Sequence, residues 1–133
     1  MFTSEIFVRV RYSETDKMGY VYYGNYAAYF EVARVETLRQ LGVSYRQLED
    51  EGVLLPVLDY AIKYFKPAHY DDELRIETVI TELPSARIHF TYRTFRGQDE
   101  LNSASTTLVF VDKATGRPTR CPQHILNALA AYY

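Results

Sequence analysis

A chain of 133 residues carries 15 basic and 17 acidic side chains, a net charge of −2. That length favours one domain spanning 1–133 with a real core, and the near-neutral charge excludes the basic footprint of a nucleic-acid binder. No apolar run approaches the roughly 20 residues of a membrane span, the opening MFTSEIFVRVRY lacks the regions of a signal peptide, and the lone Cys121 has no internal disulfide partner, so a soluble cytoplasmic protein that binds neither nucleic acid nor membrane is expected.

Residues 5–12 alternate, with Ile6, Val8 and Val10 on one side and Phe7, Arg9 and Arg11 on the other, which predicts a strand with one buried face. Residues 13–24 read as a loop holding Gly19 and Gly24. From Asn25 the period changes. Tyr26, Tyr29, Phe30, Ala33, Thr37 and Leu41 form one helical stripe, while Glu31, Arg34, Glu36 and Arg39 lie on the other faces. Asn25 suits the N-cap and Gly42 the stop, so the helix is expected over 26–41. A short helical turn follows around 44–51.

Strand patterns dominate after that. Residues 53–66 are apolar and aromatic, with Pro56 pointing to an edge or a bulge. Strands at 73–83 and 86–96 are separated by Pro84-Ser85. In the second, Ile88, Phe90 and Tyr92 face one way and Arg87, His89, Thr91 and Arg93 the other. Gly97-Gln98-Asp99-Glu100 reads as a hairpin turn before a strand at 101–112, and a short helix fits the tail from Pro122. Consecutive strands joined by short turns imply an antiparallel sheet. One long helix covers one face of such a sheet and leaves the other wet or against a partner. The strand at 101–112 has no clearly polar side, which favours a second protomer.

Asp16 stands out in YSETDKMGYVYYGNYAAYFEVARVE, between the first strand and the helix. Taken alone it is a turn-capping acid or a reagent. His69, His89 and His124 share no metal-ligand spacing, so no metal is expected. No phosphate-cradling glycine loop and no Ser-His-Asp order is present.

The chain resembles the hotdog-fold acyl-CoA thioesterases of the 4-hydroxybenzoyl-CoA thioesterase-like family. The resemblance runs from Arg9-Val10-Arg11-Tyr12 and Thr15-Asp16 through Gly19-Tyr20-Val21-Tyr22-Tyr23-Gly24-Asn25-Tyr26, Tyr29-Phe30-Glu31 and Ala33-Arg34. It continues in Pro67–Thr78 and in Asp112 with Thr115-Gly116-Arg117-Pro118. It implies an α+β hotdog fold, one long helix wrapped by a five-stranded antiparallel sheet. It also implies a homo-oligomer, a dimer paired into a tetramer, with the active site at the dimer interface and Asp16 carrying the chemistry. One subgroup of the family has histidine at the position of Tyr23. Tyrosine there removes any histidine role and nudges the substrate towards an aromatic acyl-CoA.

A thioester carbonyl needs a nucleophile and a place for the developing oxyanion. Asp16 is expected to attack directly or to activate water. The free amides of Tyr23 and Gly24 at the helix start are the expected oxyanion donors. Thiolate leaves readily, so no strong general acid is required, and no cofactor is expected. Tyr22, Asn25, Tyr26 and Glu31 are candidate substrate contacts. Glu31 also fits a solvated face or an ion pair with Arg34. Arg87 is the candidate for the phosphates of coenzyme A, because a guanidinium fork suits phosphate. Two other readings stay in view. A hotdog hydratase needs a histidine near the helix, and residues 12–41 contain none. A non-catalytic module that only binds an acyl thioester would leave Asp16 in the pocket at a desolvation cost.

Overall fold

Alternation and turn chemistry organise the chain into β1 (Phe2–Arg9), α1 (Tyr23–Gln40), α2 (Tyr45–Asp50), β2 (Val53–Leu54), β3 (Val57–Tyr64), β4 (Glu73–Ile80), β5 (Arg87–Arg96), β6 (Asp99–Val109), β7 (Val111–Asp112) and α3 (Gln123–Leu129). These elements come from a computed structural model that describes residues 1–133. The main sheet has five strands in the order β1-β4-β5-β6-β3, and every neighbouring pair is antiparallel. This is the helix-wrapped sheet of the hotdog fold.

The inward rows match the alternation. Ile88, Phe90 and Tyr92 on β5 are buried, as are Ala104, Thr106 and Leu108 on β6. They pack beneath α1, which contributes Tyr26, Tyr29, Phe30, Ala33, Thr37 and Leu38. Phe30 stacks on Tyr92 with ring centroids 4.6 Å apart. Burying an aromatic side chain of this kind is worth about 2 kcal/mol. The core forms one cluster of 24 buried residues, so helix and sheet stand or fall together.

Several boundaries differ from the sequence reading. The first strand ends at Arg9 rather than residue 12. Beyond it the Arg11 N–H donates to the Glu14 carboxylate at 2.7 Å, so a side chain replaces the ladder partner there. The stretch 53–66 divides at Pro56: β2 pairs with β7, and β3 begins with a register shift between Val57 and Asp59. The β5–β6 turn is tighter than four residues. Arg96 already pairs with Asp99, and Gly97 takes the positive φ of 58° that the turn requires. Arg34 was expected on the polar face of α1 and is instead buried. Its guanidinium lies towards the hydroxyls of Tyr45 and Tyr92.

The helix starts earlier than the N-cap reading of Asn25 allows. Tyr22 is the cap residue and Asn25 is the third helical residue. The Asn25 amide reaches back to donate to the Glu14 carbonyl at 2.7 Å. Its side chain therefore ties helix to loop instead of capping the helix. At the other end the prediction holds. The Gly42 N–H donates to the Arg39 carbonyl and the Val43 N–H to the Leu38 carbonyl. That is a Schellman stop, and Gly42 takes the left-handed conformation with φ 79°.

Both sheet edges are exposed strands. On β3 seven of eight residues are exposed, and Val57, Leu58, Tyr60 and Tyr64 are each about 40–50% accessible. A long apolar edge of this kind is a template for pairing with another chain.

Candidate active site

The loop that carries Asp16 is a small closed structure. Thr15 and Val21 form an antiparallel bridge, and Tyr20 bridges His69. The Asp16 N–H donates to the Tyr20 carbonyl at 2.8 Å, and Gly19, at φ 83°, makes the reversal possible. One carboxylate oxygen, Oδ1, accepts the N–H groups of Met18 at 2.9 Å and Tyr20 at 3.2 Å. No hydrogen bond occupies Oδ2. The acid thus caps its own turn with one oxygen and keeps the other free. Turn-capping and reactive readings of this residue are compatible in one geometry.

Glu14 locks that loop to α1. Its Oε1 accepts the Arg11 N–H at 2.7 Å and the Tyr29 hydroxyl at 2.9 Å, and its Oε2 accepts the Arg11 guanidinium at 3.0 Å. Its backbone carbonyl takes the Tyr22 N–H at 2.9 Å and the Asn25 side chain at 2.7 Å. Partial burial pushes the Glu14 pKa up, but the hydrogen bonds from Arg11 and Tyr29 and the Arg11 charge outweigh it and hold the group below the usual carboxylate range. The same contact, together with burial, pushes the Tyr29 hydroxyl upward.

Asp16 lines a cavity of about 270 Å³. Met18, Tyr20, Val21, Tyr23 and Tyr26 form one side, and Tyr64, Phe65, Lys66, Pro67 and Ala68, at the end of β3, form the other. The lining is mostly apolar, with Asp16 and Lys66 as its charged members. The N-terminus of the 18-residue α1 opens beside it. Neither the Tyr23 nor the Gly24 amide has a hydrogen-bond acceptor, as expected of the first turn of a helix. The Tyr22 ring packs on Tyr23 with centroids 4.7 Å apart. It also lies so close over Gly24 that an added Cβ would meet Tyr22 Cε2 at 2.8 Å. Glycine therefore lets the ring fold across the helix start.

The structure thus brings together Asp16, Tyr23 and Tyr26 in one cavity, with Tyr22, Gly24 and Asn25 in the turn that shapes its edge. It does not bring Glu31 or Arg87 to that cavity. Glu31 is exposed further along α1. Arg87 begins β5, whereas Arg96 at the other end of that strand reaches Pro67 on the cavity wall. Nine residue steps separate them, about 30 Å of strand. Sequence reading missed Tyr64, Phe65 and Lys66. Their signal was a broken alternation: the N–H groups of Phe65 and Lys66 both donate to the Leu101 carbonyl, which turns two adjacent aromatics outward at the strand end.

An apolar cavity with a half-free carboxylate at a helix N-terminus, on a helix-wrapped sheet, defines a hotdog-fold protein with an acyl-type site. Residues 10–129 match the model of the thioesterase-like superfamily, and the chain belongs to that family. It is 37% identical over 120 residues to the acyl-CoA thioester hydrolase YbgC of Escherichia coli O6:H1, covering 90% of each chain. Among solved structures it is similar to the DHNA-CoA thioesterase from Staphylococcus aureus, with 33% identity, a TM-score of 0.86, and coverage of 100% of this chain and 85% of that one. It is also similar to the hypothetical protein TT1821 from Thermus thermophilus, with 33% identity, a TM-score of 0.91, and coverage of 98% and 99%.

Proposed function

We propose that this chain hydrolyses acyl-CoA thioesters to free acid and coenzyme A, with Asp16 as the reacting carboxylate. The observation that carries this reading is the free Oδ2 of Asp16 on the wall of an apolar cavity. Two routes use that oxygen. As a nucleophile it attacks the thioester carbon, the coenzyme A thiolate departs, and water then cleaves the mixed anhydride. As a base it takes a proton from water, which attacks directly. In both, negative charge develops on the thioester oxygen, and the unpaired amides of Tyr23 and Gly24 are the donors that receive it. Tyr26 stays neutral throughout, because burial pushes its pKa to about 12.

The catalytic unit is a dimer joined through the exposed edge of β3, with a tetramer as the larger assembly. Support comes from the apolar, unpaired β3 edge, whose end carries Tyr64 and Phe65 of the cavity wall. The acyl group, aliphatic or aromatic, lies among Tyr20, Tyr23, Tyr26 and Tyr64. Glu31 and Arg87 lie away from this cavity. No helix is long and apolar enough to cross a membrane, and the buried free thiol of Cys121 fits a cytoplasmic setting.

Thiol release from a panel of acyl-CoAs by wild type and by Asp16→Asn tests the reading. The substitution keeps shape and removes charge, and turnover should fall at least about a hundredfold. Equal activity of the two proteins, or an inactive wild type, would leave a module that only binds acyl thioesters. In a single turnover in ¹⁸O-water, label in the Asp16 carboxylate identifies it as the nucleophile, because a base that only activates water takes up no oxygen from it.

A further inference from the structure

Pro67 and Ala68 line the cavity, yet residues 67–72 belong to no strand. Side chains fix them in place. Asp72 is the post: the Asp71 N–H donates to the Val10 carbonyl and the Val10 N–H to the Asp72 carbonyl, so the backbone here is pinned just past the end of β1. From that post one carboxylate oxygen, Oδ2, accepts the His69 N–H at 2.9 Å and Arg96 Nη1 at 2.9 Å. The same Arg96 nitrogen donates to the Pro67 carbonyl at 3.1 Å. Arg96, at the end of β5, therefore clamps the segment at two points.

The clamp reaches the Asp16 loop. The Val21 N–H donates to the Ala68 carbonyl at 2.8 Å, and Tyr20 bridges His69, with their rings edge to face at 5.6 Å. Tyr20 in turn holds Asp16 from both sides. Its carbonyl accepts the Asp16 N–H at 2.8 Å, and its N–H donates to Oδ1 at 3.2 Å. Every step from Arg96 through Asp72, His69 and Tyr20 to Asp16 is a hydrogen bond or a ladder bridge. Exposed ion pairs contribute little, but the Arg96 and Asp72 side chains are only 32% and 23% exposed. Partial burial pushes the Asp72 carboxyl up, and the His69 N–H and the Arg96 guanidinium outweigh it and hold the group below the usual carboxylate range. Beyond burial and Tyr64, the Tyr26 hydroxyl feels both charges of the pair, so the pair lies behind the cavity wall.

We propose that Arg96 is a positioning residue for Asp16: through its ion pair with Asp72 it holds the wall at Pro67–His69, and through that wall it holds the loop that aims the reacting carboxylate. This rests on the reading of Asp16 as that carboxylate. Arg96 touches no reacting atom.

The test follows single amide protons by NMR hydrogen exchange alongside steady-state thiol release. Wild type, Arg96→Met and Asp72→Asn are compared with Arg93→Met, a control that removes an ion pair with Glu100 from the same strand. In Arg96→Met and Asp72→Asn the N–H groups of Asp16 and Val21 should exchange at least about tenfold faster, because local opening sets their rates, while the β1–β4 ladder keeps its protection. In Arg96→Met kcat should fall by about tenfold or more, since a small misplacement of a reacting group is costly. Arg93→Met should change neither readout. In an Asp16→Asn background, Arg96→Met should lower turnover no further, because residues that act through one group do not add. A change that only loosened the fold would lower turnover in both backgrounds. Arg96→Lys keeps the charge on a shorter reach and should recover part of kcat; it and Asp72→Asn are read in place of Arg96→Met if that variant does not fold. Wild-type exchange at Asp16 and Val21 in the variants, or an equal loss of turnover with and without the Asp16 carboxylate, overturns the proposal. No thiol release by wild type would remove the thioesterase reading instead, and the exchange rates still decide whether Arg96 holds the Asp16 loop.

Discussion

In the proposed reaction Asp16 works only if its loop stays where it is, and that is a matter of one neighbouring side chain. Glu14 accepts from Arg11 and Tyr29 and offers its carbonyl to Tyr22 and Asn25, so it ties the loop to the residues that follow β1 and to α1. Glu14→Gln keeps the size but removes the charge that Arg11 pairs with. Its kcat should fall by about tenfold with KM nearly unchanged, measured by steady-state thiol release. Because the folded pKa of Glu14 is depressed, its contribution to stability is complete above the ordinary glutamate pKa. It is lost as the pH falls through the lower folded value, in the range below about pH 4. Wild type should therefore melt above Glu14→Gln at neutral pH, and the gap should close in acid. At this scale the sequence was partly legible. Asp16, Tyr23 and Tyr26 follow from a motif with fixed spacing. Glu14 does not, because a lone acid in a loop has no periodicity and its four partners become neighbours only when β1, the loop and α1 come together.

Elements were read well where one periodicity ran unbroken and poorly where a side chain intervened. The inward face of β5 follows strict alternation, so Ile88, Phe90 and Tyr92 all lie where the pattern puts them. Pro56, read as an edge or bulge, stands at both: β3 is an edge strand and its register shifts just after that residue. The start of α1 was misplaced because Asn25 has the chemistry of a cap but spends its amide on the Glu14 carbonyl. The stop at Gly42 was legible, since only glycine takes φ 79° without strain. Gly42→Ala should cost about 1 kcal/mol and lower the melting temperature by a few degrees, with kcat/KM unchanged. The stop lies at the far end of α1 from the cavity, so a loss of activity larger than the loss of folded protein would contradict this separation of roles.

For the molecule as a whole, element order and one long amphipathic helix were enough for the α+β class, and the resemblance supplied the hotdog arrangement. Strand order was not readable. Pattern alone does not say that β1 lies beside β4, because that depends on which pairing leaves the smallest apolar surface uncovered. Nor did it reveal that the strand at the edge also carries part of the cavity. That coincidence has a thermodynamic consequence. Tyr64 ends the strand that joins the two copies in the proposed dimer, and Phe65 follows it, so in that dimer occupancy of the cavity and association of the chains would share a free energy, and the coupling would be reciprocal. Mass action in the proposed dimer would then make the enzyme sense its own concentration. On dilution, specific activity should fall along the same curve as the mass measured by sedimentation or light scattering, and a slowly hydrolysed acyl-CoA should shift both curves to lower protein concentration together. Constant specific activity across a transition to monomer would show that a single chain is catalytically complete.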